Sequence, residues 1–459
     1  MNALASYSSA LARSELSDRI GWVRQMQGLA IDSAGPDVAI GELCKIRVRQ
    51  IGSGPAAGAM TDILAEVVGL KPGRVTLMPY GATDGVAAGC EVRAVGLRAD
   101  VRVGPALLGR VLNGFGDPID GAAPPATVTA YPLKGAAINP MMRPRITRVL
   151  ETGVRSIDGL LTIGRGQRVG IFAGSGVGKS TLLGMMARHA QSATKEAGDR
   201  INVIALIGER GREVREFIDK QLGAKGLKRS VVVVATADQP ALARVRAAHA
   251  AVAIAEYFRD EGRDVLLTMD SITRLAMARR EIGLSAGEPP TARGYTPSVF
   301  AELPELCERF GTAPGGGSVT ALLTVLVEGD DLNEPVSDSL RAILDGHIVL
   351  SRQIAHRGLY PAVDVLKSAS RLMPDLATDA DRALAMEAVN QLALLERNRQ
   401  MVEIGAYERG SNRQLDSALS LEPALHEWLK QGTEGVSRDE ALQKLKAILS
   451  QMTLREDAS

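Results

Sequence analysis

One stretch limits the fold more than any other: Arg168-Val169-Gly170-Ile171-Phe172-Ala173-Gly174-Ser175-Gly176-Val177-Gly178-Lys179-Ser180-Thr181. Val169 to Phe172 is a short apolar run of strand type. A glycine-rich turn follows, and Leu182, Leu183, Met185 and Met186 then open a helix. Strand, glycine turn, Lys-Ser and helix in that order form a phosphate-binding loop, whose backbone N–H groups face a polyphosphate. Gly174, Ser175, Gly176, Val177, Gly178, Lys179, Ser180 and Thr181 would make the cradle. Lys179 would reach the β/γ-phosphates of ATP, and the Ser180 hydroxyl would sit on Mg²⁺. The strict pattern has glycine where this chain has Ala173. Glycine matters there only if φ is positive or the backbone is crowded. Taken alone, the motif could also be a glycine-rich turn that binds nothing.

A chain of 459 residues, 45% hydrophobic, can bury a large core and divide into two or three domains. With 54 basic and 53 acidic residues, it has no global field for nucleic acid or anionic membrane. Cys44, Cys90 and Cys307 are far apart and lack metal spacing, so they read as reduced thiols. The N-terminus has no secretory pattern, and no apolar run reaches membrane-spanning length. A soluble cytoplasmic protein is the expectation.

In chain order, residues 1–20 carry Leu4, Tyr7 and Leu11 at helical spacing, with Leu16 and Ile20 beyond. They read as a frayed tail or as a docking helix. Residues 21–98 alternate with period two: Cys44, Ile46 and Val48 against Lys45, Arg47 and Arg49, then Cys90, Val92 and Ala94 against Glu91 and Arg93. This predicts a small antiparallel barrel or sandwich. Residues 99–150 are rich in Gly and Pro and read as a linker. From 151 to 375 strands alternate with helices, the mark of a parallel α/β sheet. A helical region, 376–459, closes the chain. Its signals include the capping pattern Ser437-Arg438-Asp439-Glu440.

Hydrolysis of a nucleotide needs a metal, a group that orients water, and positive charge for the transition state. Asp270 ends the apolar run Val265 to Met269, the place of a carboxylate that holds Mg²⁺. Glu209 follows the run Val203 to Ile207. Ligands of open α/β sheets sit at carboxyl ends of strands, so Glu209 is expected beside Lys179 and Asp270, polarising the attacking water. The alternative for Arg212 to Lys220, Glu213 included, is a solvated helix face.

Three segments carry a family resemblance: the phosphate loop, Gly208-Glu209-Arg210-Gly211-Arg212-Glu213, and Pro361-Ala362-Val363-Asp364-Val365-Leu366-Lys367-Ser368-Ala369-Ser370. Together they resemble the rotary ATP synthase α/β family, of which the last is the signature decapeptide. The chain is most similar to its type III export ATPases, flagellar and injectisome. Gly287-Glu288-Pro289-Pro290, Pro297-Ser298-Val299-Phe300 and Ile343 to Arg352 carry that closer match, and Glu396 to Arg399 with Gly405-Ala406-Tyr407 lean toward the flagellar members. The resemblance spans about residues 20 to 430. It implies a β-barrel domain, a RecA-like ATPase domain, a helical C-terminal domain and a homohexameric ring. It also implies roles: Glu209 as catalytic glutamate with Arg210 beside it, Glu213 and Asp270 as acids near Mg²⁺, Tyr360 stacking on adenine, and Arg371 as a finger in a neighbour's site. The implied partners are a stator-like regulator at the N-terminal segment, a stalk-like export protein, an export gate and chaperone–substrate complexes, at the cytoplasmic side of the inner membrane.

Three other readings would also use a phosphate loop. An RNA-dependent translocase shares this core but needs a basic, aromatic-rich face, and aromatics are 3% here. A non-hydrolysing nucleotide-binding subunit carries Gln where this chain has Glu209. A rotary synthase subunit would lack the export-type segments.

Overall fold

The computed structural model describes residues 18–50, 58–96, 100–127, 129–189, 200–327, 329 and 331–456. Leu4, Tyr7, Leu11 and Leu16 of the expected docking segment lie outside them. Ile20 instead opens the first barrel strand. The described residues gather into two compact units, one holding the barrel strands with Gln239–Val245 and Met277–Val299, the other holding the remainder.

In the first unit, strands Ile20–Gln27, Ala30–Ala34, Leu43–Arg49, Met60–Lys71, Arg74–Pro79 and Glu91–Gly96 form a closed barrel. Period-two patterning sets which side chains enter it. Cys44, Ile46 and Val48 point inward, while Lys45, Arg47 and Arg49 are exposed. With Val23, Ile31, Ala65, Val67, Val75, Leu77 and Val92 they make one core. Closure leaves no free strand edge.

The second unit is built on a nine-stranded sheet. Its order is Val363–Ser370, Gly346–Leu350, Arg168–Ala173, Ser318–Leu326, Asp264–Asp270, Arg200–Ile207, Ser230–Ala235 and Val111–Leu112, with Gly311–Thr312 paired to Ser318–Leu326. The central strands are parallel and covered on both faces, so they read as unbroken apolar runs rather than alternating ones. Val111–Leu112 pairs in parallel with Ser230–Ala235. The Gly/Pro-rich stretch read as linker therefore contributes a strand to the sheet. Two residues are too few to show a period.

Pro240 precedes the helix Ala241–Asp260, and Gly262 (φ 80°) ends it. Its alanines Ala247, Ala248, Ala250, Ala251, Ala253 and Ala255 are all buried. The C-terminal helices Asp379–Glu403, Arg413–Leu429 and Arg438–Glu456 begin at Thr378, Asn412 and Ser437. Each of these side chains accepts a backbone N–H of the first turn. Trp428 donates through Nε1 to Ala441 O at 3.0 Å and locks the last two helices together. Among the described residues no helix is long and apolar enough to cross a membrane.

Candidate active site

Strand register brings the functional loops to one edge of the sheet. Ala173 pairs with Leu326 and with Leu350, and Leu206 pairs with Asp270. The carboxyl ends of these strands therefore coincide. Ala173 is the buried last residue of its strand, and its carbonyl accepts Val327 N at 3.1 Å. The left-handed positions of the loop fall at Gly176 (φ 77°) and Gly178 (φ 86°), where a side chain would be strained. Alanine at 173 thus leaves the loop geometry intact.

The helix Lys179–His189 starts at the lysine of the loop. Lys179 Nζ donates to Asp270 Oδ1 and lies 3.5 Å from Glu209 Oε1. Asp270 is buried, and its Oδ1 also accepts the Thr324 hydroxyl at 2.7 Å. Burial pulls the Lys179 ammonium downward, but Asp270 and Glu209 more than offset this and raise it. Glu209 is pushed up to about 7, by burial first and then by the Asp270 carboxylate. Lys179 opposes that rise, and a hydrogen bond with Glu213 adds to it. A lysine wedged between the buried Asp270 and the partly buried Glu209 is a charge arrangement ready to be rearranged by an incoming polyanion.

Around this centre, Ser180 is exposed at the mouth of the loop and Thr181 is partly buried. Tyr360 is 43% exposed, and its ring lies against the loop: a Cβ on Gly178 would sit 3.4 Å from Tyr360 Cδ1. Arg210 turns outward, 80% exposed, with Nη1 3.8 Å from Glu213 Oε1. The expected single helix from Arg212 to Lys220 is divided, an α-helix Gly211–Glu216 running into a π-helical turn Phe217–Leu222. Its charges pair along the exposed face, Arg215 with Asp219 at 2.6 Å and Lys220 with Glu216 at 2.9 Å. From Arg215 onward its charged face is solvated, while Phe217 and Leu222 on the opposite face are buried in the core.

Arg371 is not brought to the site. Ser370 pairs with Gly346 at the start of that strand, and Arg371 N donates to Asp345 O at 2.9 Å. Asp345 in turn accepts Arg168 N at 3.0 Å, where the strand of the phosphate loop begins. Arg371 therefore sits at the amino end of the sheet, about 20 Å from the loop at the rise of a six-residue strand. It is exposed, and Nη2 donates to Arg341 O at 3.0 Å. Thr324 has no motif to announce it, since it lies inside the apolar run Ser318–Leu326. A hydroxyl in an otherwise apolar run is its one sequence signal, and it shares that with Ser318 and Thr320.

Among the described residues no three His, Cys, Asp or Glu side chains cluster as a metal cage. The oxygen donors present, the Ser180 hydroxyl and the Asp270 carboxylate, fit Mg²⁺, which takes one or two protein oxygens and completes its shell with phosphate and water.

Comparison with known proteins accounts for most of the chain. Residues 23–96 match the ATP synthase alpha/beta family beta-barrel domain, and residues 153–370 match the same family's nucleotide-binding domain. Residues 377–447 match the T3SS EscN ATPase C-terminal domain. The flagellum-specific ATP synthase of Bacillus subtilis is 50% identical over 96% of both chains. The type 3 secretion system ATPase of Xanthomonas euvesicatoria is 47% identical over 93% of both. The assembled ATPase EscN from the enteropathogenic E. coli type III secretion system superposes with a TM-score of 0.85 and 40% identity, over 93% of this chain and 99% of EscN. Barrel, phosphate-loop sheet and C-terminal helices are thus matched in order, and the chain belongs to the flagellum-specific and type III secretion ATPases of the ATP synthase alpha/beta family.

Proposed function

We propose that this chain hydrolyses Mg-ATP and that homohexameric rings of it drive the flagellar type III protein export apparatus. The observation that carries the enzymatic part is the meeting of Lys179, Glu209 and Asp270 beside the phosphate loop. A triphosphate laid along Gly174 to Thr181 draws Lys179 from the two carboxylates to the β/γ-phosphates. Glu209, released from the lysine, accepts a hydrogen bond from the attacking water and takes its proton as the γ-phosphate leaves ADP. Burial and the Asp270 carboxylate raise the Glu209 carboxyl, which strengthens it as a proton acceptor. Ser180 and Asp270 would hold Mg²⁺, with Glu213 at the margin, and the Thr324 hydroxyl on Oδ1 would keep the Asp270 carboxylate oriented once Lys179 has moved to the phosphates. Bound there, the metal would neutralise charge on the β- and γ-phosphates. Tyr360 stacks on the adenine above Gly178. Arg371, far from its own loop, serves the loop of the next subunit, where its planar fork meets phosphate oxygens.

The export part is supported by the relatives. Flagellum-specific ATP synthases from Bacillus subtilis and Salmonella typhimurium match nearly end to end, at 50% and 46% identity. EscN is known assembled and in complex with its central stalk EscO, which supports a ring with a stalk-like partner here. Glu209→Gln tests both parts. It should bind ATP within about threefold of the wild type, lose at least about 10²-fold in turnover, and stop filament assembly when it replaces the native chain. Unchanged turnover would sink the assignment of Glu209. Lost turnover with filaments still assembled would move the chain to another type III system.

A further inference from the structure

The turn between the last two helices, residues 430–436, holds none of the residues given a catalytic or binding role above. Gln431 within it is buried, and each of its polar side-chain atoms is engaged. Nε2 donates to Gly153 O at 2.7 Å and to Glu434 O at 2.8 Å, and Oε1 accepts Arg155 N at 2.9 Å. Its backbone N donates to Tyr360 O at 2.8 Å. One residue thus joins the C-terminal helices, the entry to the helix Arg155–Leu160, and the residue whose ring rests on the phosphate loop.

The same turn reaches the far end of the phosphate-loop helix. Arg188 Nη2 donates to Thr433 O at 3.2 Å, and Gly435 packs so closely on His189 that a Cβ there would clash. Gly153 O accepts a second bond, from Val436 N at 3.1 Å. Gly153 itself is held by Asp158, fully buried, which accepts Gly153 N at 2.8 Å and Thr152 N at 2.9 Å. The platform under Gln431 is therefore fixed on several sides. Tyr360, by contrast, exposes much of its ring at the loop mouth.

We propose that Gln431 is a positioning residue for the nucleotide base: its side chain fixes the turn whose backbone N–H holds the Tyr360 carbonyl, and so sets the ring beside Gly178. The proposal rests on Tyr360 stacking on the base. It makes base recognition depend on the C-terminal helices, while phosphate recognition stays with the loop. A glutamine that merely knits the turn to the sheet would act differently, since its loss would weaken folding without separating base from phosphate.

The test compares ATP with inorganic tripolyphosphate, which has the phosphates and no base, as a competitive inhibitor. Gln431→Ala should raise the KM for ATP about fivefold to tenfold, the loss expected of a few modest hydrogen bonds. Its kcat and the inhibition constant for tripolyphosphate should stay within about twofold. Because Gln431 acts through Tyr360, the double variant with Tyr360→Ala should be no worse than Tyr360→Ala alone. Equal weakening of ATP and tripolyphosphate, or additive losses in the double variant, would overturn the proposal. Gln431→Met keeps the side-chain volume and carries the same comparison if Gln431→Ala does not fold; failure of both to fold assigns Gln431 a structural role and also overturns it. The two layers separate cleanly. Tyr360→Ala with unchanged KM for ATP rejects base stacking itself, whereas a raised KM there and none in the Gln431 variants rejects positioning alone.

Discussion

At the carboxyl end of the central strands, Lys179 is wedged between Asp270 and Glu209, all three largely withdrawn from water. At the amino end of the same sheet, Arg371 is exposed beside Asp345 and Arg341. The first place has the phosphate loop, the Ser180 hydroxyl and two carboxylates, with Lys179 between them. The second has an arginine whose charge meets no phosphate in its own chain. A phosphoryl-transfer site wants both, and a strand of six residues keeps them about 20 Å apart. On the function proposed above, each chain carries two halves of different sites. A head-to-tail ring, in which one subunit's amino edge faces the next subunit's carboxyl edge, is the arrangement that joins them.

Three changes bear on this division. The largest effect is expected at the exposed end: Arg371→Ala should lower kcat on the order of 10³-fold, with ATP binding to the loop nearly intact. An arginine that served only its own surface would cost little. A smaller effect is expected at the buried end from Thr324→Val, which removes the 2.7 Å hydrogen bond to Asp270 and keeps the shape. Turnover should fall about tenfold and half-saturation by Mg²⁺ should rise, because Asp270 loses a donor that orients it. No change in the Mg²⁺ titration would mean that the Thr324 hydroxyl does not orient Asp270 for the metal.

The smallest effect is on stability. The Glu209 carboxyl sits at about 7 in the folded protein against an ordinary value near 4.5, so folding favours its protonated form. That contribution is full below about pH 4.5 and is lost as pH rises through 7. Glu209→Gln, which carries no charge to bury, should therefore melt about 1–3 °C higher than the wild type at pH 8 without nucleotide. The gain should vanish toward pH 5. An offset that is the same at both pH values would show that Glu209 is not strained by burial.

Much of the buried end is legible in the sequence, because its physics is local. A glycine loop between strand and helix, and acids that end apolar runs, fix Lys179, Glu209 and Asp270 on one edge once the sheet is parallel. Alternation does the same for Cys44, Ile46 and Val48 in the barrel. Thr324 and Gln431 escape notice because their roles depend on partners 54 and 71 residues away, Asp270 and Tyr360, which no short-range pattern encodes. Val111–Leu112 escapes because a two-residue strand has no period. The place of Arg371 is different again. Its chemistry is suggested by the decapeptide it follows, but its distance from its own loop appears only when the edge strand Val363–Ser370 runs antiparallel to its neighbour.

The central claim, that a working site is shared by two subunits, is tested most directly by mixing two dead chains. In a ring assembled from Arg371→Ala and Glu209→Gln subunits, some interfaces pair an intact Glu209 with an intact Arg371 of the next subunit. Random mixing makes about a quarter of interfaces complete. Hydrolysis by verified mixed rings should therefore rise well above that of either variant alone, toward a sizeable fraction of the wild-type rate. Mixed rings no more active than their separate components would contradict a shared site and return Arg371 to the surface of its own chain.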